Sequence, residues 1–371
     1  MLHTLHIKNF TIFSDVQFEF SSGLNVIIGD NGTGKSHLLY LAYATLSVWH
    51  QALQECLHTS KDKESWQRDF AQKLTSVFRS EKLGHLCHRQ QQRAEIQMIP
   101  AFFGQAIPQL TSAFSFLVTA IDTVKLEQSP ALGALNSPKT RLEAFQQIPV
   151  PLFFPIKEVL SFYHDFMKSN KERELSFYAI YDDLCKALTS VPLTGKPAKE
   201  VANLVMPLED IVQGSVMLEF DRFYLQHFDN GKMEISLAPE GLRKIAMLTY
   251  LLKNGSLAKG STLFWDEPEV SLNARYQVKL VDTLVAMVNA GVQVILATHD
   301  LFLMKELSLA TISAKMPIHF FSLHQSEHGM EIEQGEQLDD LSNIVAIDAE
   351  LDQTDRGQAI FYHEIFEKEA A

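Results

Sequence analysis

Residues Gly29–Ser36, with the sequence GDNGTGKS, fit the Gly-x-x-x-x-Gly-Lys-Ser pattern of a phosphate-binding loop. Its glycines let backbone N–H groups turn toward phosphate oxygens, and a helix beginning at its end would add a positive dipole. Lys35 would reach the β- and γ-phosphates of a nucleotide, and Ser36 would hold Mg²⁺. The alternative is a tight glycine turn without a ligand. The predicted phosphate site consists of Gly29, Asp30, Asn31, Gly32, Thr33, Gly34, Lys35 and Ser36.

Two acidic residues follow the apolar stretch LFW. Asp266 would end a buried strand, so its carboxylate would lie at the sheet edge beside the loop and hold Mg²⁺ through water. Glu267 would orient or deprotonate the water that attacks the nucleotide. The alternative is an acidic turn after a buried strand, without a catalytic function.

A histidine ends the next apolar strand along the chain, in the stretch VILATHD. In open α/β sheets, ligands bind beside the carboxyl ends of the strands, so His299 would lie near the phosphates. It would then sense the γ-phosphate. A structural histidine at a strand end is the alternative.

These side chains need a sheet whose strands end together, and the apolar runs of the sequence predict one. Helices are predicted at Glu240–Asn254, Arg275–Ala290 and Asp300–Leu309. Their alternation with strands is typical of a layered α/β fold with a parallel sheet. Two alternating runs around Asp229-Asn230-Gly231 predict a hairpin. The runs that predict strands of the sheet are GLNVII, VPLFFP, STLFWD, VQVILA and IHFFSL, the last clear strand.

The order of IKNF…GLNVIIGDNGTGKS, LAPEGLRK, LFWDEPEVSLN and LATHD resembles the ABC-type ATPase head of the RecF, SMC and OLD-nuclease lineage. The resemblance covers residues 1–50 and 216–325. It implies an α/β fold with a mainly parallel central sheet, an antiparallel β portion and an inserted helical lobe. It also implies that two heads enclose two ATP molecules, with each phosphate loop facing the signature helix of the partner.

The resemblance also implies a role for each motif. Gly29–Ser36 would be the Walker A loop. Asp266 and Glu267 would be the Walker B pair, and His299 the switch histidine. The segment Ser271-Leu272-Asn273 would be the D-loop, whose Asn273 would contribute to nucleotide binding.

The signature segment departs from the Leu-Ser-Gly-Gly-Gln pattern of that family. Here Leu237–Lys244 is LAPEGLRK, with a single glycine and with alanine in place of the serine. Gly241 would present N–H groups to a phosphate across a dimer, and Arg243 or Lys244 would add positive charge. The variant resembles the Glu-Gly-x-x-Lys form of OLD-type and related defence ATPases; an ordinary helix start is the alternative. The pair Lys157-Glu158 would occupy the glutamine-loop position, or else a simple turn.

Three parts are predicted along the chain: an ATPase core of residues 1–49 and 146–325, a helical insertion lobe of residues 50–145, and an acidic C-terminal extension of residues 326–371. From Ser326 onward, thirteen acidic residues face two basic ones, so −11 of the net charge of −13 lies there. The remaining −2 does not exclude nucleic acid as a partner of the main body. The extension is either solvated or docks a basic partner.

Composition adds weaker indications. Three cysteines in 371 residues make no disulfide framework, and no apolar run is long enough to cross a membrane, so a cytoplasmic protein is predicted. The group Cys56, His58, His85, Cys87 and His88 matches no zinc-site spacing and predicts ordinary packing or surface positions.

Eight basic residues within positions 61–93 would follow a nucleic-acid backbone or form a solvated helical face. They are Lys61, Lys63, Arg68, Lys73, Arg79, Lys82, Arg89 and Arg93.

The leading functional hypothesis is an ATPase that dimerises around ATP and Mg²⁺ and controls a nucleic-acid-processing or defence effector. The 46 residues after position 325 are too few for the nuclease domain of OLD-type relatives, so a nuclease or toxin would be a separately encoded protein. The alternative is a RecF-like DNA repair or replication clamp. A transporter ATPase subunit fits the degenerate signature and the IKNF strand less well. A nucleotide switch without turnover is the last alternative.

Overall fold

The computed structural model contains fourteen strands and nine α-helices within the part of the chain that it describes. That part comprises residues 1–55, 61–101, 113–129, 150–173, 179–314, 316–327 and 329–369. The strands are β1 (Leu2–Phe10), β2 (Phe13–Glu19), β3 (Leu24–Gly29), β4 (Arg93–Pro100), β5 (Phe114–Thr119), β6 (Val124–Gln128), β7 (Leu152–Phe154), β8 (Gly214–Glu219), β9 (Arg222–His227), β10 (Gly231–Glu234), β11 (Thr262–Asp266), β12 (Gln293–Thr298), β13 (Ile318–Ser326) and β14 (Gly329–Gly335). The helices are α1 (Lys35–Glu55), α2 (Lys63–Phe78), α3 (Tyr163–Arg173), α4 (Ala179–Leu188), α5 (Gly195–Val212), α6 (Glu240–Lys253), α7 (Ala274–Asn289), α8 (Leu301–Ala314) and α9 (Val345–Glu369).

The central sheet has the strand order β14-β13-β3-β12-β11-β7, and all neighbours except β13 and β14 are parallel. Every residue of β11 and β12 is buried, as the continuous apolar runs of the sequence predict. Along β12, Val294 belongs to the core beneath helices α5 to α7, and Ile295 belongs to the core beneath α1. The predicted α/β fold with a mainly parallel central sheet is therefore confirmed.

A second sheet has the order β2-β1-β4-β5-β6 and is antiparallel throughout. Its strands β4, β5 and β6 lie within residues 50–145, for which the sequence analysis predicts a helical lobe. Arg93–Pro100, Phe114–Thr119 and Val124–Gln128 form strands rather than the predicted helices; in the first of them buried Ala94, Ile96 and Met98 alternate with polar residues at the period of a strand. The end of α1 and the whole of α2 are helical, and residues 56–60, 102–112 and 130–149 lie outside the described residues.

Helix α2 packs on the second sheet through aromatic side chains. The rings of Phe70 and Phe116 stack with centroids 4.3 Å apart, and Trp66 stacks on Phe70 at 5.7 Å. These rings belong to the same core as Leu39 and Tyr43 of α1. The second sheet and α2 therefore cover the helix that follows the phosphate loop.

Two buried amide side chains join the second sheet to the central one. Gln293 is fully buried; its Nε2 donates to the carbonyls of Leu2 at 2.7 Å and Ser21 at 2.8 Å. Its Oε1 accepts from the N–H of Leu2 at 2.8 Å and from the hydroxyl of Thr262 at 3.0 Å. Asn25 similarly donates to the carbonyls of Ser21 and Val294. The bonds of Gln293 pair the N–H and the carbonyl of Leu2 at the start of β1, and those of Asn25 pair the carbonyls of Ser21 and Val294.

A third sheet, with the order β10-β9-β8, is antiparallel and precedes α6. The predicted hairpin at Asp229–Asn230 is confirmed by the pairing of β9 with β10. The preceding run SVMLEFDRFYL is not one strand, because the chain reverses at Phe220 and Asp221. Both residues have a positive φ, of 50° and 57°, as in the tight two-residue turns that join antiparallel strands.

The acidic C-terminal extension contains strand β14, which pairs with β13 and was not predicted from the sequence. Glu333 of β14 accepts hydrogen bonds from the backbone and side chains of Ser342 and Asn343. Burial alone would raise the pKa of Glu333, but these bonds outweigh it and lower the pKa to about 2. They anchor the segment that leads into α9. Among the helices described, none is both long and apolar enough to cross a bilayer.

Replacing the buried amide at the junction of the two sheets tests its contribution to stability. Gln293→Met lowers the free energy of unfolding by about 2–4 kcal/mol, because the N–H and C=O of Leu2 stay buried without partners. Urea denaturation measures the change. Gln353→Met on the exposed part of α9 is the matched control, with a change within about 0.5 kcal/mol. Equal effects of the two substitutions would contradict the role assigned to Gln293.

Candidate active site

The phosphate-loop motif forms a tight connection between β3, which ends at Gly29, and α1, which begins at Lys35. Gly32 and Gly34 have φ angles of 83° and 86°, in the left-handed region that glycine adopts without strain. A Cβ atom on Gly34 would lie 2.5 Å from Cδ1 of Ile12, so a larger residue would have to displace that side chain. The glycines of the motif thus meet both conformational and steric requirements of the loop.

Lys35 is buried, and its Nζ donates to the carbonyls of Gly29 at 2.8 Å and Asp30 at 2.9 Å. Burial lowers the pKa of the ammonium group, and the carboxylates of Glu267 and Asp266 oppose that change. The loop therefore holds an ammonium group at its centre, where phosphate oxygens can replace the two carbonyls as charge-assisted acceptors.

Asp266 ends β11, and its side chain is almost completely buried. Burial raises its pKa to about 6; a hydrogen bond with the Ser36 side chain lowers it, and the charge of Glu267 raises it. Its Oδ1 is buried and has no hydrogen-bond partner among the described residues. A carboxylate oxygen without a partner, beside a serine hydroxyl, fits a hard divalent cation such as Mg²⁺, which prefers oxygen ligands.

Glu267 has a φ of 47°, in the left-handed region that residues other than glycine rarely adopt. Its N–H donates to the carbonyl of Ala297 at 2.9 Å, which ties the residue to β12. Oε1 of Glu267 lies 3.1 Å from Nδ1 of His299, and the side chains are 21% and 47% exposed. This carboxylate and this imidazole are therefore in contact and open to solvent, which a group that activates water requires.

The structure brings the phosphate loop, the carboxylate pair and the histidine together at one sheet edge. Strands β3, β12 and β11 are neighbours and parallel, so their carboxyl ends lie side by side. The contact of Ser36 with Asp266 and that of Glu267 with His299 link the three motifs directly. This arrangement can hold a nucleotide triphosphate with a cation on one side and a proton acceptor on the other.

The signature segment lies against the D-loop of the same chain. A Cβ atom on Gly241 would lie 2.3 Å from the carbonyl oxygen of Ser271, so this glycine is needed for close packing. Lys244 is 1% exposed, and its Nζ donates to the carbonyl of Val270 at 2.9 Å. The structure does not support the use of Lys244 across a dimer, because its charge points into its own chain. The sequence could not show that Lys244 is buried, because nothing in the stretch LAPEGLRK distinguishes a buried lysine from an exposed one.

Two further predicted residues have structural partners. Glu158 is buried and accepts from Nε of Arg243 at 2.6 Å and from the N–H of Ser161 at 3.1 Å, whereas Lys157 is exposed. The predicted glutamine-loop residue Glu158 is thus tied to α6. Asn273 precedes α7 and caps it by accepting from the N–H of Tyr276 at 3.1 Å.

The sequence analysis overlooked Glu269, the last residue of the stretch DEPE. It is buried, and its Oε1 accepts from the hydroxyl of Thr298 at 2.6 Å. Burial raises its pKa. The sequence did offer one signal for Glu269, an acidic residue two positions after Glu267. Its contact with β12, however, depends on the order of the strands in the sheet, which the local sequence does not show.

Much of the basic character of residues 61–93 is neutralised within the chain. Four of its eight basic residues form the ion pairs given below, and Arg79 has a partner within the chain. Of the two alternatives for this segment, these partners within the chain favour a solvated helical face over a contact with a nucleic-acid backbone. The ion pairs are Lys61 with Glu55 and Asp69, Arg68 with Asp69, Lys73 with Asp183, and Arg93 with Glu95.

The histidine and cysteine group has ordinary packing contacts. Nδ1 of His88 lies 2.8 Å from the carbonyl of Thr11, and the thiol of Cys87 donates to the carbonyl of Val118 at 3.4 Å. Cys56 and His58 lie outside the described residues. The described residues contain no group of three or more His, Cys, Asp or Glu that could hold a metal ion.

Comparisons with protein families agree with this geometry. Residues 122–305 match the family model described as "AAA domain, putative AbiEii toxin, Type IV TA system", and residues 4–41 match a second AAA-domain model. The second match contains the phosphate loop, and the first contains the carboxylate pair and the histidine. Together, the two matched segments contain all three motifs that meet at the sheet edge.

Individual relatives are DNA replication and repair proteins. The chain is 36% identical to RecF of Pediococcus pentosaceus over 78 residues. This aligned segment is 20% of the present chain and 19% of RecF. It is 58% identical over 36 residues to RecN of Aquifex aeolicus, which covers 10% of this chain and 7% of RecN. The chain thus matches about a fifth of RecF or less than a tenth of RecN.

The fold is similar to that of a solved SMC head in complex with the C-winged helix domain of ScpA. The TM-score is 0.52 with 13% sequence identity, over 91% of this chain and 98% of the SMC head chain. At this identity the likeness concerns the fold. It supports the ABC-type head architecture that the motif order implies.

The raised pKa of Asp266 predicts a stability that depends on pH. Without divalent cations, Asp266→Asn raises the free energy of unfolding at pH 8 by about 1–3 kcal/mol, because it removes a buried charge. The folded pKa of about 6 exceeds the ordinary 3.8, so the wild type loses stability as the pH rises through this range. The gain of the variant therefore vanishes below about pH 4.

Urea unfolding at several pH values measures this difference. Asp282→Asn, on the exposed side of α7, is the matched control and has little effect at any pH. A gain for Asp266→Asn that is the same at both ends of the pH range would contradict the prediction.

Proposed function

We propose that this chain, an ABC-type ATPase head of the RecF and SMC lineage, binds ATP with Mg²⁺ and hydrolyses it to ADP and phosphate. The observation that carries the proposal is the meeting of the phosphate loop, the Asp266-Glu267 pair and His299 at one edge of the parallel sheet. The activity is proposed because the matched relatives share only short segments with this chain.

Binding would begin with the backbone of Gly29–Ser36, whose N–H groups and helix dipole attract the phosphates. Lys35 would exchange its two carbonyl acceptors for oxygens of the β- and γ-phosphates. Ser36 and Asp266 would hold the magnesium ion. Magnesium supplies positive charge that offsets the charge of the β- and γ-phosphates.

Hydrolysis would use the exposed pair at the end of the sheet. Glu267 would accept a proton from the attacking water, and its left-handed backbone fixes where the carboxylate lies. His299 would orient Glu267 through the 3.1 Å contact and reach the γ-phosphate with its other side. Both side chains are partly exposed, so that water and phosphate can reach them.

The ATPase core would comprise residues 1–49 and 146–325, completed by the antiparallel strands of residues 93–128. We propose that two copies enclose ATP, each presenting the start of its signature helix at Gly241 to the phosphates bound by the other. In such a dimer Lys244 would stabilise the start of α6 through its hydrogen bond to the carbonyl of Val270. Asn273, which caps α7, would lie nearby.

The proposed output is control of a separately encoded effector, such as a nuclease or a toxin, in nucleic-acid processing or defence. The match to a family described as "AAA domain, putative AbiEii toxin, Type IV TA system" supports a link to toxin–antitoxin or defence systems. The acidic helix α9, which is exposed from residue 348 to residue 361, offers a surface for a basic partner.

A RecF-like DNA clamp is a second candidate, favoured by the 36% identity to RecF over 78 residues. In that case ATP binding would gate contact with the DNA backbone. The ion pairs within residues 61–93 limit the basic residues that remain for this contact, of which Lys82 and Arg89 have no ion pair shown among the described residues.

Replacing the proposed proton acceptor tests the enzyme. Glu267→Gln lowers the rate of phosphate release by about 10²–10⁴-fold, because the amide cannot accept the proton of water. ATP binding persists, so the proposed dimer accumulates with ATP and is seen by analytical ultracentrifugation. Glu81→Gln, exposed in the loop after α2, is the control and hydrolyses ATP as the wild type does. Unchanged hydrolysis in Glu267→Gln would remove Glu267 from this role.

The DNA clamp predicts ATP-dependent binding of duplex DNA that weakens with salt. Lys82→Ala and Arg89→Ala would each reduce the slope of log affinity against log salt by about 1. Lys199→Ala, on the exposed side of α5, would leave it unchanged. Fluorescence anisotropy with labelled DNA measures these slopes, and no binding at low salt with ATP would discount the clamp.

A further inference from the structure

A second buried carboxylate lies behind the exposed Glu267–His299 pair. Glu269 is 5% exposed, and its Oε1 accepts a 2.6 Å hydrogen bond from the hydroxyl of Thr298. Its Oε2 is buried and has no hydrogen-bond partner among the described residues. Burying a carboxylate without a hydrogen-bond partner is costly, so the bond from Thr298 stabilises Glu269 in its buried position.

The hydroxyl of Thr298 is used in both directions. It has one proton, which it donates to Glu269, and its oxygen accepts the N–H of Asp300 at 3.0 Å. Asp300 in turn caps α8, because its Oδ1 accepts from the N–H of Leu303 at 2.7 Å. The two residues on either side of His299 are therefore fixed by one chain of hydrogen bonds that begins at Glu269.

The turn that carries Glu269 is itself held in place. The carbonyl of Glu269 accepts from the N–H of Leu272 at 2.8 Å, and the carbonyl of Val270 accepts from Nζ of the buried Lys244. The carbonyl of Glu267 accepts from the N–H of Val270 at 3.3 Å. Glu267 and Glu269 thus belong to one rigid turn, and each contacts the segment that follows β12.

We infer that Glu269 is a positioning residue that holds His299 against Glu267 through the hydroxyl of Thr298. The inference rests on the proposed ATP hydrolysis and deepens it by naming what orients the pair. In this role Glu269 does not itself act on ATP or on the attacking water. It acts through the backbone from Thr298 to Asp300, which determines where the imidazole lies.

Two pairs of substitutions separate the hydrogen bond from the shape of the side chain. Thr298→Val and Glu269→Met remove the bond while keeping similar size, whereas Thr298→Ser and Glu269→Gln keep a hydroxyl donor and a carbonyl acceptor. The first pair lowers kcat about 10- to 100-fold, as expected for a misplaced catalytic group, with unchanged KM for ATP. The second pair retains most of kcat. A rise of KM with unchanged kcat, or equal losses in both pairs, would overturn the inference.

A measurement without nucleotide tests the position of His299 directly. In protein labelled at its histidines, the NMR resonance of His299 is assigned by its loss in His299→Gln. We expect this resonance to shift in Thr298→Val and Glu269→Met and to stay in place in Thr298→Ser and Glu269→Gln. An unchanged resonance in the first pair would overturn the inference. Thermal unfolding identifies the folded variants, and either member of the first pair is sufficient.

The two readouts also distinguish this inference from the proposed function. If the wild type hydrolyses no ATP but its His299 resonance responds as expected, the ATPase proposal fails and the positioning by Glu269 stands. If the wild type hydrolyses ATP and the resonance does not respond, the reverse holds.

Discussion

The structure depends on keeping three charged groups, Lys35, Asp266 and Glu269, buried at one edge of a parallel sheet. Charges interact strongly away from water, so each needs a polar partner at a fixed distance. Lys35 has two loop carbonyls, Asp266 has Ser36, and Glu269 has Thr298. The strand order β3-β12-β11 brings Asp266 beside Ser36, more than two hundred positions earlier in the sequence, and Glu269 beside Thr298 of the neighbouring strand.

The rest of the fold makes that edge rigid. The central sheet is buried on both faces, by α5 to α7 on one side and by α1 on the other. The antiparallel sheet and α2 cover α1, and the amide of Gln293 links this layer to the start of β12. Packing and buried hydrogen bonds thus determine where the phosphate loop lies relative to the carboxylates.

The central sheet and the convergence of its motifs could be predicted, because long apolar runs separated by helices indicate buried parallel strands. Strands β4, β5 and β14 were missed although apolar residues recur at every second position in each, because these short runs lie among polar and charged residues. The candidate site was predicted where side chains follow strand ends. Glu269 and the inward direction of Lys244 depend on tertiary contacts between separate segments, which local patterns do not contain.

At Gly241 the start of α6 packs directly against Ser271, with no room for a methyl group between them. In a sandwich of two such heads, the part of each subunit that meets the other's nucleotide would be mechanically continuous with its own carboxylate turn. Neither site could then change its occupancy without altering the energetics of the other, and linkage requires that this influence be mutual. A pair of heads built in this way would behave as one cooperative switch rather than as two independent enzymes.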